Sequence, residues 1–515
     1  MELILASVLT PLQGLTAAFT LLLIYLIVNE IFRWRAENPG FNGPRGLPIA
    51  GNLLQLQVNA PEILRRWSEK YGDVYQIQLG NTPVLVVNTA AAAKELFAHQ
   101  GHALNSRPTF YTFYKIVGKT SGITIGTSPI SPELKQRRRA AASALNKRAV
   151  SGYSPLLHLE TNLLVKDILD AGGSGSRQIN PMPLVRRFAL SVILTINWGT
   201  SITSDDKSLF EEITEVEAGI VSTRSVMENL QDFIPILRLN LFSVRSHQAQ
   251  RWRERRDVYL NRLDSDLRQK IEKKVHRPCI QSNTIFDEAE KLAPKDLRII
   301  STSMIQGGTG TISGTLSWAL LFLSQNLEAQ TKVQREIAAQ FSNPVEVLRE
   351  SATAGLDISG SLYLHALGME CLRYFTVLRL SLPRESSGDC TYQGRHIPAG
   401  SVVFLNAWAC NRDAAVWEDP DEFRPERWQE QPEAPLFTYG MGYRMCAGTA
   451  LANRELELVL LKILACFDIL PGTGQKPDAS PLTGSSNVKE SGRFPRAYEV
   501  LFKVHDLEGM NSVFV

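Results

Sequence analysis

The sequence predicts a mostly α-helical fold with a small β region, built as one large domain behind an N-terminal transmembrane helix. Three observations lead there: helix-period apolar patterning over most of the chain, one β-branched stretch around a turn signal, and an uncharged apolar run near the start. The 515 residues are 44% hydrophobic and 21% charged, the composition of a globular protein that builds its core without disulfide or metal staples.

No charged residue lies between Glu2 and Glu30, and Leu15 to Val28 reads LTAAFTLLLIYLIV, long enough to cross a hydrocarbon core of about 30 Å as a helix. Arg33 and Arg35 come next, flanking Trp34, so the positive-inside bias places the bulk of the protein in the cytosol. A cleaved signal peptide fits less well, since no basic segment precedes the run and no small-residue cleavage site comes after it. Residues 1–30 are therefore read as an anchor in the lipid bilayer. Residues 31–48, with Pro39, Gly40, Gly43, Pro44, Gly46 and Pro48, form a Pro/Gly-rich hinge, and 49–515 one domain.

Within that domain Asp73 to Asn88 reads as a hairpin, two apolar β-branched runs around GNTP. Helices are expected at 133–150, 155–171, 207–231, 248–275, 294–326, 362–380 and 448–467, with a solvated basic block RWRERR at 251–256. A short extended region runs from Cys390 to Phe404, with turn signals at Gly394 and Pro398–Gly400. AGGSGSR at 171–177 is a surface loop, and no internal repeat is visible.

A net charge of +3, from 55 basic and 52 acidic residues, offers no electrostatic case for a nucleic-acid partner. Six cysteines without CxxC spacing signal neither a zinc cluster nor a disulfide framework. One of them sits in a loop with unusual chemistry: FTYGMGYRMCAG, Phe437 to Gly448. A thiolate that binds iron must be deprotonated, open on one side and shielded on the other. Glycines let the backbone bend beneath a flat ring. The amphipathic helix beginning after Cys446 turns its free N–H groups toward the sulfur and favours the negative form.

This loop resembles the cysteine loop of the cytochrome P450 superfamily, F-x-x-G-x-x-x-R-x-C-x-G, in which Phe437, Gly440, Arg444, Cys446 and Gly448 all match. The resemblance implies a haem-thiolate monooxygenase domain with haem b held by Cys446 as axial ligand. Phe437 and Gly440 then lie at the cofactor, and Arg444 reaches a haem propionate. It further implies that one oxygen atom of dioxygen enters a small-molecule substrate. Electrons would come from NADPH through a separate NADPH–cytochrome P450 reductase, with the chain a single-pass protein of the endoplasmic reticulum membrane. The sequence carries no G-x-G-x-x-G dinucleotide loop after a strand.

Other segments fit the same family. Glu370 and Arg373 are i, i+3 in ECLR; E-x-x-R also occurs at Glu30, Glu62, Glu346 and Glu490, but only this copy precedes FRPERW and the cysteine loop in the family's order. The resemblance makes Glu370, Arg373 and Arg427 a structural network. IQGGTGTISGTLSWAL, Ile305 to Leu320, resembles the distal oxygen-binding helix A/G-G-x-D/E-T-T/S, with Thr311 as its proton-delivering alcohol. Gly310 stands where the family has an acid and Ile312 where it has a second hydroxyl. That departure leaves open a reductase-independent isomerase or dehydratase. ELKQRRRAAASALNK resembles the helix that supplies propionate contacts, here Arg138 and Lys135, and Arg384 is a further candidate. The strings RPTFYTFYKIVG (107–118), TIGTSP (124–129), RRRAAASALN (137–146) and RMCAG with LANREL (444–456) are similar to fungal microsomal members of the phenylacetate-hydroxylase-like group. They imply an aromatic or polyketide-derived substrate in fungal secondary metabolism. Phe110, Tyr111, Phe113 and Tyr114 cluster in one loop, which lines a pocket or packs on the core.

Overall fold

An apolar helix without a protein partner opens the chain. Glu2–Ala36 is one continuous helix, and Leu15, Phe19, Leu21 to Ile24, Ile27 and Val28 are all exposed on it. The computed structural model describes residues 2–203, 206–226, 228–239, 243–286, 292–349 and 362–514. Among them Gln13–Ala36 is the one helix long and apolar enough to cross a membrane, and it fits a single-pass anchor. The helix runs six residues into the expected hinge, because its last turns dock on residues 47–49 and on the hairpin turn. Glu30 pairs with Arg33 (2.5 Å) and accepts the Ile49 N–H (2.9 Å); Arg33 donates to the Leu47 carbonyl (3.2 Å) and Asn81 to the Asn29 side chain (2.7 Å).

Val74–Leu79 (β1) and Thr82–Val87 (β2) form the expected antiparallel hairpin. Its two-residue turn needs glycine: Gly80 has φ +52°, and a Cβ there would lie 2.3 Å from the Phe233 carbonyl oxygen. Arg384–Glu385 (β3), Cys390–Tyr392 (β4), Arg395–Ile397 (β5) and Val402–Leu405 (β6) come later in the chain. Strands β1, β2, β6 and β3 make one sheet; β6 runs parallel to β2 and antiparallel to β3, pairing Val403 with Arg384. Strands β4 and β5 form a second hairpin, and Phe467–Pro471 (β7) pairs with Val500–Val504 (β8).

The rest is helical, around Pro294–Ser324. This 31-residue helix packs on Met182–Trp198, Leu362–Phe375 and Thr449–Cys466 through one core that includes Trp318 and Phe375, stacked 5.1 Å apart. Met182–Trp198 was not evident in the sequence because it is buried on nearly every side and so lacks a polar face. Other boundaries differ where side chains cap. Asn146 splits 133–150 into Pro132–Leu145 and Lys147–Gly152 by accepting the Ala149 N–H (2.9 Å). The expected 207–231 helix is Lys207–Ser222, with Asn229 donating to the Ser222 carbonyl (2.9 Å). The helix expected to reach 380 stops at Phe375, where Thr376 turns to φ +40°. The RWRERR block is not wholly solvated: Arg256 is buried and donates to the Val117 carbonyl (3.1 Å).

Removing residues 1–28 should release the protein from the detergent-requiring fraction without moving its thermal midpoint. Removing 1–36 also deletes the Asn29, Glu30 and Arg33 contacts and should cost about 2 kcal/mol, read by thermal unfolding of the two truncations side by side.

Candidate active site

Five of the six cysteines are buried; Cys446 alone is exposed, and all six are free. Its thiol is nonetheless desolvated by the protein around it, so the sulfur faces a recess within the fold. Burial pushes the Cys446 thiol up; the Gly448 N–H, the Thr449 hydroxyl and the charge of Arg138 pull the other way. The helix start thus favours the thiolate, but burial outweighs it, and keeping the sulfur ionised requires a cation on its open side. Two left-handed glycines shape the loop, Gly440 (φ +71°) and Gly442 (φ +67°). A Cβ on Gly442 would stand 1.8 Å from the Phe97 carbonyl oxygen. The Gly440 N–H closes on the Phe437 carbonyl and the Cys446 N–H on that of Tyr439, both at 2.9 Å.

Below the loop lies a fully buried ion network. Glu370 accepts from Arg373 (2.7 and 2.8 Å), Arg427 (3.2 Å), the Trp428 indole (2.9 Å) and the Arg424 backbone N–H (2.8 Å). Arg373 spends its remaining N–H groups on the carbonyls of Asn411 (2.9 Å), Pro420 (2.7 Å) and Glu422 (2.8 Å). The Asn411 side chain in turn accepts the Phe437 N–H (2.9 Å) and donates to the Thr438 hydroxyl (3.0 Å). Glu370, Arg373 and Arg427 therefore reach the start of the cysteine loop through one residue.

On the other side four guanidinium groups gather. Arg384 donates to the Leu104 and Met441 carbonyls (3.1 and 2.7 Å), Arg138 to that of Met445 (3.2 Å), and Arg444 to Asn105, Ile125, Gly126 and Ser128. Arg107, which the sequence did not single out, donates to the Leu382 and Pro383 carbonyls. No carboxylate pairs with any of the four among the described residues. Burial first, and the neighbouring guanidiniums next, push Arg107 well down, Arg384 to about 9, and Arg444, with Arg138 as its neighbour, to about 10. Lys135 is exposed and makes none of these contacts. The only trace of Arg107 in the sequence is its place at the head of RPTFYTFYKIVG.

Above the cluster a cavity of ≈ 640 Å³ is lined by Arg107, by the aromatic loop at Phe110, Phe113 and Tyr114, and by Thr309, Gly310 and Thr311 of the central helix. Cys446 is not among its lining residues; Arg107 joins the two regions. Thr311 is exposed to the cavity and donates to the Gly307 carbonyl (2.6 Å). The four helix glycines serve different ends. Gly308 admits Ile193 (a Cβ would meet it at 2.4 Å) and Gly314 admits Val377 and Phe494, while Gly307 and Gly310 leave open space. Ile312 is buried in the core, so a hydroxyl at 312 would not face the cavity; Thr309 does line it, a hydroxyl that sequence matching passed over.

Residues 41–494 match the cytochrome P450 family. The chain belongs to the cytochrome P450 family. It is 52% identical over 493 residues to the 3-hydroxyphenylacetate 6-hydroxylase of Emericella nidulans, covering 96% of this chain and 94% of that one. It is 34% identical to the phenylacetate 2-hydroxylase of the same organism, over 90% and 89% of the two chains. A cytochrome P450 monooxygenase of Mycosarcoma maydis is 35% identical, over 95% and 92%.

The family makes this P450 a monooxygenase that uses haem and dioxygen. The residues fit that cofactor on grounds of charge alone. Arg107, Arg384 and Arg444 are buried and Arg138 half-buried without an acidic partner, a costly arrangement that the two propionates of haem would relieve. Cys446, whose sulfur faces a recess of the fold, would supply the iron donor. Haem held there supplies the activation of dioxygen and the transfer of one of its atoms.

Replacing Glu370 by Ala strands two buried arginines and should cost this P450 about 3–5 kcal/mol, with loss of haem from the purified protein. Glu346→Ala breaks a helix-capping contact at another E-x-x-R and should cost about 1 kcal/mol with haem retained. Thermal unfolding and the haem-to-protein absorbance ratio distinguish the two.

Proposed function

We propose that this P450 hydroxylates the ring of a small aromatic acid of the phenylacetate class, drawing electrons from NADPH through a separate reductase at the endoplasmic reticulum membrane. The observation that carries the reading is 52% identity, along 96% of the chain, to a 3-hydroxyphenylacetate hydroxylase. The cavity agrees in character, being aromatic in the 110–114 loop and cationic at several positions. An aromatic acid displaces the polyketide alternative because both Emericella relatives are named for arylacetates.

Cys446 anchors the cofactor; Arg107, Arg138, Arg384 and Arg444 hold its carboxylates; Glu370, Arg373 and Arg427 keep the loop in place. Thr311 is the catalytic hydroxyl. It donates to the Gly307 carbonyl at 2.6 Å on the cavity side, so its oxygen lone pairs are free to accept a hydrogen bond from a cavity water and to order that water for proton delivery. The acid missing at Gly310 has room, since a Cβ there meets only Phe494 at 3.8 Å. Its absence is therefore electrostatic in effect: the turn of the central helix that carries Thr311 adds no negative charge to the cavity to repel an anionic substrate.

The reduced protein under carbon monoxide should show the red-shifted Soret band of thiolate-ligated haem, and Cys446→Ser should abolish it. With NADPH and reductase it should convert 3-hydroxyphenylacetate or phenylacetate to a ring-hydroxylated product. A normal thiolate band with no turnover of either acid would sink the substrate assignment. Thr311→Ala should keep haem content but lower product per NADPH by ~10²-fold, with hydrogen peroxide making up the difference. Unchanged coupling would remove Thr311 from proton delivery.

A further inference from the structure

The cavity wall opposite the arginine cluster holds a second kind of unpaired charge. Arg224, two residues past the helix Lys207–Ser222, lays its guanidinium over the Phe113 ring (4.2 Å to the centroid) and donates to the Gln306 side-chain oxygen. Its Nε is buried without a partner, as are the Gln306 amide nitrogen and the Thr309 hydroxyl, and all three residues line the cavity. No carboxylate lies within ion-pair distance of Arg224 among the described residues. The acid most nearly placed is Glu217, also on the cavity wall: one oxygen accepts from the Tyr259 hydroxyl and the other has no partner. Burial pushes its pKa up against the pull of Arg256, Arg224 and Gln306, so the neutral form is favoured and answers the arginine weakly.

Four other guanidiniums on the cavity wall have hydrogen-bond or charge partners for part of their donors, and Lys489 is exposed to solvent. Arg107 belongs to the cluster above the cysteine loop. Arg379 covers Trp408 and donates to the Pro481 carbonyl, Arg493 donates to the Asn487 carbonyl (2.8 Å), and Arg186 lies over Phe494 and feels Glu490. Gln306 and Thr309 are i, i+3 on one face of the central helix. Thr311 lies five residues beyond Gln306, about 7.5 Å along the axis, close to the length of an arylacetate.

We propose that Arg224, with Gln306 and Thr309, binds the carboxylate of the substrate and so holds the aromatic ring beside Thr311. The inference rests on the aromatic-acid reading above and names the residues that select for the acid. A carboxylate there supplies acceptors for donors that have none. Because the Arg224 Nε, the Gln306 amide and the Thr309 hydroxyl are closed to solvent, these side chains turn toward the cavity to meet it, and the planar guanidinium on Phe113 offers paired N–H groups. Charge-assisted bonds of this kind contribute about 1.5–3 kcal/mol, so the acid should be favoured over a neutral ligand of the same shape by roughly 10- to 150-fold.

The test is isothermal titration of the full-length haem-loaded protein with 3-hydroxyphenylacetate and with 3-ethylphenol, its neutral counterpart. Wild type should bind the acid more tightly. Arg224→Leu should weaken the acid at least about tenfold and leave 3-ethylphenol within about twofold, and Arg224→Lys should recover part of the loss. If Arg224→Leu does not load haem, Gln306→Leu reads the same preference with a milder change. Equal weakening of both ligands, an unchanged acid affinity, or loss of the preference on Arg186→Leu instead would overturn the anchor while leaving the aromatic-acid reading intact. A wild type that binds neither ligand would overturn that reading itself.

Discussion

The carboxylate of Glu370 receives two arginines, an indole and a backbone N–H in a region that water does not enter. Carrying three formal charges into such a place is unfavourable unless every donor and acceptor is matched, and here the matching extends outward. Arg373 gathers the carbonyls of Asn411, Pro420 and Glu422, segments distant from its own helix in sequence. Asn411 then fixes the entry of the cysteine loop through Phe437 and Thr438. The position of Cys446 is thus inherited from an ion network that never touches it. Phe437 and Gly440 act in the same way, by shaping the loop.

Three of the arginine arrangements differ in an informative way. Around Glu370 the positive charge is answered by protein, and the result is architecture. Around Arg107, Arg138, Arg384 and Arg444 it is answered only by backbone carbonyls, whose dipoles are weaker than a carboxylate charge; that is a site awaiting a dianion. At Arg224 a guanidinium on the cavity wall lies over an aromatic ring, with an amide and a hydroxyl beside it. The proposed cofactor site and the proposed substrate subsite differ in the number of unanswered charges and in what surrounds them.

Patterned elements are legible in the order of residues. The hairpin at 74–87, the long central helix and the helix after the cysteine arise from β-branched runs and from apolar periodicity, each a local property. Helix ends are less legible, because Asn146, Asn229 and Thr376 act through side-chain caps and a left-handed turn that periodicity does not register. Arg107 and Thr309 escape notice because nothing near them in sequence distinguishes them. Each gains its meaning from residues hundreds of positions away or from a cavity that no segment forms alone. Lys135 errs in the opposite direction: it shares a basic helix with Arg138 but stays in solvent.

What the sequence determined by itself was the chemistry available: an uncharged span fit for lipid, a cysteine framed by glycines before a helix, and a threonine in a glycine-rich helix. These are short-range facts, set by side-chain type and spacing within a few turns. The tertiary structure decided which charges are answered. Whether an arginine braces a loop, holds a cofactor's carboxylate or selects a substrate depends on the groups within about 4 Å of it and on the water excluded around them. Only the packed chain brings Glu370 to Arg427, Arg107 to Arg444, and Arg224 to Gln306.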